Sequence, residues 1–85
     1  MTKEQIQQTI RSKVVEVAAQ MGNDAAALTD DEVLTQTGYL DSAGLMGLIA
    51  WYEMTFNLDI PQEDLTIDKL GSLSQMADYA LQHVE

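Results

Sequence analysis

Gly38-Tyr39-Leu40-Asp41-Ser42-Ala43-Gly44-Leu45 stands where a long polar connection gives way to the most apolar helix of the chain. Beyond it Leu45, Leu48, Ile49, Tyr52 and Phe56 recur at spacings of three and four, the period of one buried helix face. The spacing predicts a helix over 42–56 with Ser42 at its N-cap. Two readings of that serine stand. As a cap, its side-chain oxygen accepts a bond from a free N–H of the first turn. As a chemical site, its hydroxyl is presented on a rigid helix end for covalent modification. A phosphate there would meet the free N–H groups and the positive end of the helix dipole. The cap is not compelled, because Leu45 stands where a capping box needs Glu or Gln, and Asp41 can cap the same helix. Ala43, Met46, Ala50 and Met54 form a second apolar set on another side of the helix, beside Ser42. Two apolar faces exceed what a small core uses, so the second serves either a partner or the long loop. Trp51 flanks the core stripe and reads as packing.

Upstream, Ile6, Ile10, Val14, Val17, Ala18 and Met21 predict an amphipathic helix over 3–21, closed by Gly22-Asn23. Residues 23–41 form a long connection with possible helical turns at Ala25 to Leu28 and at Asp31-Glu32-Val33-Leu34. A structureless loop of that length is unusual in a small domain, so Leu28, Val33, Leu34 and Leu40 are expected to anchor it. Downstream, Ile60 before Pro61 is extended, with Ile60 and Leu58 pointing inward. Thr66-Ile67-Asp68-Lys69-Leu70 reads as a short helix capped by Thr66 and broken at Gly71. Ser72 with Gln75 makes a capping box for a last helix whose apolar positions are Leu73, Met76, Ala77, Ala80, Leu81 and Val84. No strand pattern or repeat occurs. The fold class is all-α, a small bundle of three main helices plus one short helix with a long first loop, in one domain over 1–85.

Fourteen acidic residues against four basic ones give a net charge of −10. That balance disfavours nucleic acid and anionic membrane, whose phosphates need clustered Lys and Arg. Lys3, Arg11 and Lys13 lie near the N-terminus, and only Lys69 follows. The acidic surface either keeps the chain soluble or steers basic partners. With no cysteine there is no disulfide, thiolate metal site or cysteine nucleophile. No apolar run is long enough for a membrane span, and the polar N-terminus does not read as a signal peptide, so a cytoplasmic monomer is expected. A calcium loop begun at Asp30 would need Gly at its sixth position and Glu at its twelfth, where Thr35 and Asp41 stand, so no metal is expected. His83 falls on the solvent side of the last helix, and nothing brings it to Ser42 as a base. Catalytic residues are therefore expected to be none.

Asp41-Ser42 opening an amphipathic helix, with Leu45, Leu48, Ile49 and Phe56 behind it and Ile60-Pro61 after a turn, resembles the carrier-protein family over roughly residues 4–84. These are the acyl, peptidyl and aminoacyl carriers. The resemblance implies that a phosphopantetheinyl transferase moves phosphopantetheine from coenzyme A to Ser42, with Asp41 in transferase recognition. It implies a non-catalytic carrier whose arm holds an acid as a thioester, loaded by an adenylating enzyme and delivered to condensing or transferring enzymes. Fatty-acid carriers show Asp-Ser-Leu-Asp and an acidic row along this helix. Here Ala43-Gly44 follow the serine, Gly47 and Met54 take positions often acidic there, and Glu53 alone remains. Partner docking is thus expected through Ala43, Met46, Ala50 and Glu53, largely by apolar contact. Gly-x-Leu-Asp-Ser-x-Gly-Leu, with Asp64-Leu65-Thr66 and Ser72 later, looks more like the free-standing carriers of secondary metabolism and of D-alanine transfer. The expected function is a free-standing peptidyl or acyl carrier of a nonribosomal peptide or polyketide pathway. A D-alanyl or fatty-acid carrier is the nearer alternative. An unmodified acidic helical interaction domain is the alternative of another class.

Overall fold

The computed structural model describes residues 2–83. Its first helix, α1, is Lys3–Gln20. Thr2 and Gln5 cap it reciprocally, each side chain binding the other residue's backbone N–H, a capping box that the sequence reading did not single out. Asn23 N–H reaches Ala18 O at 2.8 Å and Gly22 N–H reaches Ala19 O at 3.0 Å. Gly22, at φ 81°, makes that close of the helix possible. The buried stripe is Ile6, Ile10, Val14 and Ala18, while Val17 and Met21 are half-buried at its edge.

The long connection is pinned rather than loose. Ala25, Leu28 and Leu34 are buried, and Val33, Tyr39 and Leu40 half-buried. Arg11 reaches from α1 to both the Leu28 carbonyl and the Asp30 carboxylate. A turn closes from Leu28 N–H to Ala25 O. The second expected turn lies further on, as the short helix α2, Leu34–Thr37. Leu34 N–H donates to Gly71 O at 2.7 Å, a long-range bond that places the start of α2.

The central helix, α3, is Ser42–Thr55. Phe56 ends it, and Asn57 takes a left-handed φ of 54° that lets Leu58 N–H reach Glu53 O at 2.9 Å. Leu48, Tyr52 and Phe56 are buried, whereas Leu45 and Ile49 are only half-buried. Trp51 is half-buried, edge-on to Phe56 at 6.2 Å, with Lys13 Nζ 5.9 Å above its ring. A 3₁₀ turn at Gln62–Asp64 follows Ile60, which is buried, and Leu58, which is half-buried. Then come α4, Ile67–Leu70, and α5, Leu73–His83.

At the start of α5 the expected capping box is half made. Ser72 Oγ accepts from Gln75 N–H at 3.2 Å, but the Gln75 amide turns away and donates to Asp68 O at 2.7 Å. The box would use the Gln75 side chain as an acceptor for Ser72 N–H, whereas here the amide serves as a donor to α4. Leu73, Met76, Ala77, Tyr79 and Ala80 form the buried face of α5. Leu81 is 40% exposed, off that face, and Val84 lies outside the described residues. His83 is exposed, stacked on Tyr79 at 4.1 Å.

α1 packs against α5 and α3, and α4 packs against α5. The fold is an all-helical bundle of three long and two short α-helices with no strand among the described residues. One short helix was expected. The second, α2, took shape inside the connection. Each of the four cations has a carboxylate partner: Lys3 with Asp78, Arg11 with Asp30, Lys13 with Glu16 and Lys69 with Asp64. Among the described residues no helix is long and apolar enough to cross a membrane.

Candidate functional site

The start of α3 settles which residue caps it. Asp41 is the N-cap, with extended backbone, and its Oδ1 accepts from Gly44 N–H at 2.8 Å. Ser42 is therefore the first helical residue and not the cap that its position suggested. Both residues have cap chemistry, and the backbone angles decide between them: Asp41 is extended at ψ −177°, and helical geometry begins at Ser42. Freed from that duty, Ser42 is exposed, and its hydroxyl makes no hydrogen bond among the described residues.

The helix end has room and a favourable field. Gly44 N–H goes to the Asp41 carboxylate and Leu45 N–H to Asp41 O at 2.9 Å. The N–H groups of Ser42 and Ala43 lie ahead of any carbonyl within the helix that could take them. They leave the positive end of the α3 dipole open beside Ser42. The loop before α3 is steadied by Asn23 Nδ2, which donates to Tyr39 O at 3.0 Å.

Gly44 is the tight point. It is buried against Met21 at the end of α1, and a Cβ there would run into the Met21 side chain. This contact joins the start of α3 to the end of α1, and the sequence does not show it because its two residues lie in separate segments. Gly44→Val is expected to cost about 1–3 kcal/mol, as overpacking does. Thermal unfolding against wild type measures it, and an unchanged melting temperature would mean that Met21 swings aside freely.

Along the outer side of α3, Ala43 and Ala50 are exposed, Met46 is 73% exposed and Met54 83% exposed. Glu53 is half-buried and borders a groove of about 430 Å³. From α3 the groove takes Leu45, Met46, Ile49 and Ala50, and its far side is built by Leu34, Leu65 and Leu70. Leu45 and Ile49, expected in the core, are half-buried because they line this groove. The far wall went unread, for it comes from α2, the approach to α4 and the end of α4 itself. Its one sequence signal is Leu65, an apolar residue in an otherwise polar stretch.

The chemistry of these groups fits a phosphodiester-linked arm. There is an unengaged hydroxyl on a rigid helix start, with small neighbours, a positive helix end behind it and an apolar groove beginning one turn along. No His, Cys, Asp or Glu group among the described residues is arranged to hold a metal ion. His83 Nδ1–H donates to Tyr79 O at 2.8 Å, within α5.

An exposed, unengaged hydroxyl at the head of a helix in a small bundle is a group open to covalent modification. The family described as Phosphopantetheine attachment site matches residues 8–80, and the chain belongs to it. Its cofactor is accordingly phosphopantetheine, covalently attached, and as a carrier domain it interacts with a phosphopantetheinyl transferase and with partner enzymes. No curated protein and no solved structure matches the chain.

Proposed function

We propose that Ser42 carries the phosphopantetheine and that residues 1–85 act as one non-catalytic peptidyl or acyl carrier domain in a nonribosomal peptide or polyketide type of pathway. The observation that carries this reading is the division of labour at the head of α3. Asp41 caps the helix, and Ser42 is left exposed with its hydroxyl unengaged. When attached, the arm supplies a terminal thiol on which an acid travels as a thioester. The chain's own part is to hold the attachment oxygen at a fixed place, to offer partners a docking face, and to raise the effective concentration of cargo at each of them by tethering.

Asp41 contributes twice in this reading, by setting the helix start and by being the charged group next to Ser42 that a transferase meets. Docking runs along Ala43, Met46 and Ala50 with Glu53 at the edge, a face supported by the exposure of its methionine. Adenylating, condensing and transferring enzymes are the partners, and a monomer in the cytoplasm is the state in which it works. Met46→Glu is expected to leave stability within about 1 kcal/mol, since exposed positions tolerate change. It should slow transferase and loading-enzyme encounters. A large fall in melting temperature would show that Met46 belongs to the core.

The groove favours an acyl cargo over an aminoacyl one. It is lined mainly by Leu, Ile and Ala side chains, suits an apolar chain, and begins one turn from Ser42. The test of the whole reading is intact mass after incubation with coenzyme A and a broad-specificity transferase, followed by peptide mapping. One phosphopantetheine on the Ser42 peptide supports it. Addition at another serine, or none to the folded chain, overturns it, and the latter outcome favours an acidic interaction domain.

A further inference from the structure

Between the buried residues Ile60 and Leu70 the chain runs along the outside of the bundle. Of residues 61–66, 68 and 69, all are exposed except Asp64, which is half-buried. Among the described side chains of this segment, the one that turns inward is a carboxylate, Asp64. Asp64 Oδ2 accepts from the Tyr79 hydroxyl of α5 at 2.8 Å, and Oδ1 pairs with Lys69 Nζ at 2.5 Å. Its side chain is 15% exposed, against 53% for Lys69.

The other tether in the segment is the bond from Gln75 Nε2 to Asp68 O. α4, at four residues, is far below the length at which a helix stands by itself, so its place depends on such tertiary contacts. The same segment gives Leu65 and Thr66 to the groove wall that faces α3, with Leu70 at its end. Leu65 is 46% exposed and has no buried seat of its own.

We propose that Asp64 is a latch: its bonds to Tyr79 and Lys69 hold residues 61–69 as the outer wall of the groove, and their release lets the segment swing between Ile60 and Leu70 and open it. The electrostatics keep the latch closed at neutral pH. The Lys69 ammonium first, and then the Tyr79 hydroxyl, hold the Asp64 carboxyl below its usual range, so it stays ionised. Desolvation, with the Asp64 bond next, pushes the Tyr79 phenol up to about 12, so it stays a donor. A polar pin suits a wall that must move, because each of its bonds can be exchanged for water with little net change, whereas a buried apolar anchor cannot leave without exposing its surface.

The inference is independent of Ser42, and its test uses the unmodified chain. Amide hydrogen exchange is followed in wild type, Asp64→Ala, Tyr79→Phe and Lys69→Met, with binding of the neutral apolar dye Nile red as the readout of the groove. In Asp64→Ala the N–H groups of Leu65, Thr66, Lys69 and Leu70 are expected to exchange about tenfold faster, with α1 and Met76 unchanged, and dye binding to rise. Tyr79→Phe, which keeps the buried ring, and Lys69→Met should each show a smaller rise at the same amides. No acceleration in any variant would overturn the latch. So would acceleration spread evenly over α1 and α5, or local acceleration with unchanged dye binding.

Discussion

Ser42→Ala is expected to abolish phosphopantetheine addition outright while leaving the fold untouched. Both halves follow from the head of α3. The hydroxyl that the variant removes bonds to nothing in the described structure, and the cap belongs to Asp41. Alanine is the best helix former, so the first helical position loses nothing by the exchange. Stability should stay within about 0.5 kcal/mol of wild type. Asp41→Ala gives the contrasting pattern. It deprives Gly44 N–H of its acceptor, which for a cap costs about 1 kcal/mol, and should slow addition without abolishing it. Intact mass and thermal unfolding on the three proteins separate the roles. If Ser42→Ala melted earlier than Asp41→Ala, the serine would be a structural residue after all. If it still gained the arm, another hydroxyl would be the acceptor.

The head of α3 also shows how far a sequence can be read here. The helix, its buried stripe and its second apolar side were legible because each is a matter of spacing within one segment. The cap was not, since Asp41 and Ser42 are both good caps and only the backbone angle separates them. The groove was half legible for the same reason. Leu45 and Ile49 sit on the predicted stripe, but whether they are covered depends on α2, and α2 is placed by a bond from Leu34 to Gly71 that spans more than a third of the chain. Gln75 was read locally as a capping partner and instead serves Asp68 on α4. Asp64, Lys69 and Tyr79 likewise come together only in the folded chain, and in sequence they look like surface residues. Local periodicity gave the elements, and the contacts between elements were the part that spacing could not supply.

Tyr52→Ala carries the largest expected loss of stability. Tyr52 is fully buried, and it is the largest side chain to be so. Its ring lies 5.5 Å from Phe56, and its hydroxyl donates to Met76 O at 2.7 Å, joining α3 to α5. Removing a buried aromatic side chain costs about 3–5 kcal/mol, and small domains have only about 5–15 kcal/mol in all. At about 4–8 °C per kcal/mol, the melting temperature should fall by at least about 12 °C. Tyr52→Phe isolates the hydroxyl, whose bond is worth about 1 kcal/mol, so the fall should be near the value for a single unit on that scale. A phenylalanine variant as unstable as the alanine one would mean that the bond to Met76 O, rather than burial, holds the two helices. The alkaline limb gives a second reading. Burial, and after it Tyr79, raises the Tyr52 phenol well above its ordinary value of 10.0, so the fold favours the neutral form. That contribution is complete below the ordinary value and is lost as pH rises through the raised one. Tyr52→Phe should therefore unfold less steeply with alkali, with the Tyr79 phenol, pushed up to about 12, supplying what limb remains. Phosphopantetheine addition ties this to function, because Ser42 and Tyr52 share one helix. Addition to Tyr52→Ala should fall in step with its folded fraction and recover at lower temperature, whereas no cooling restores Ser42→Ala.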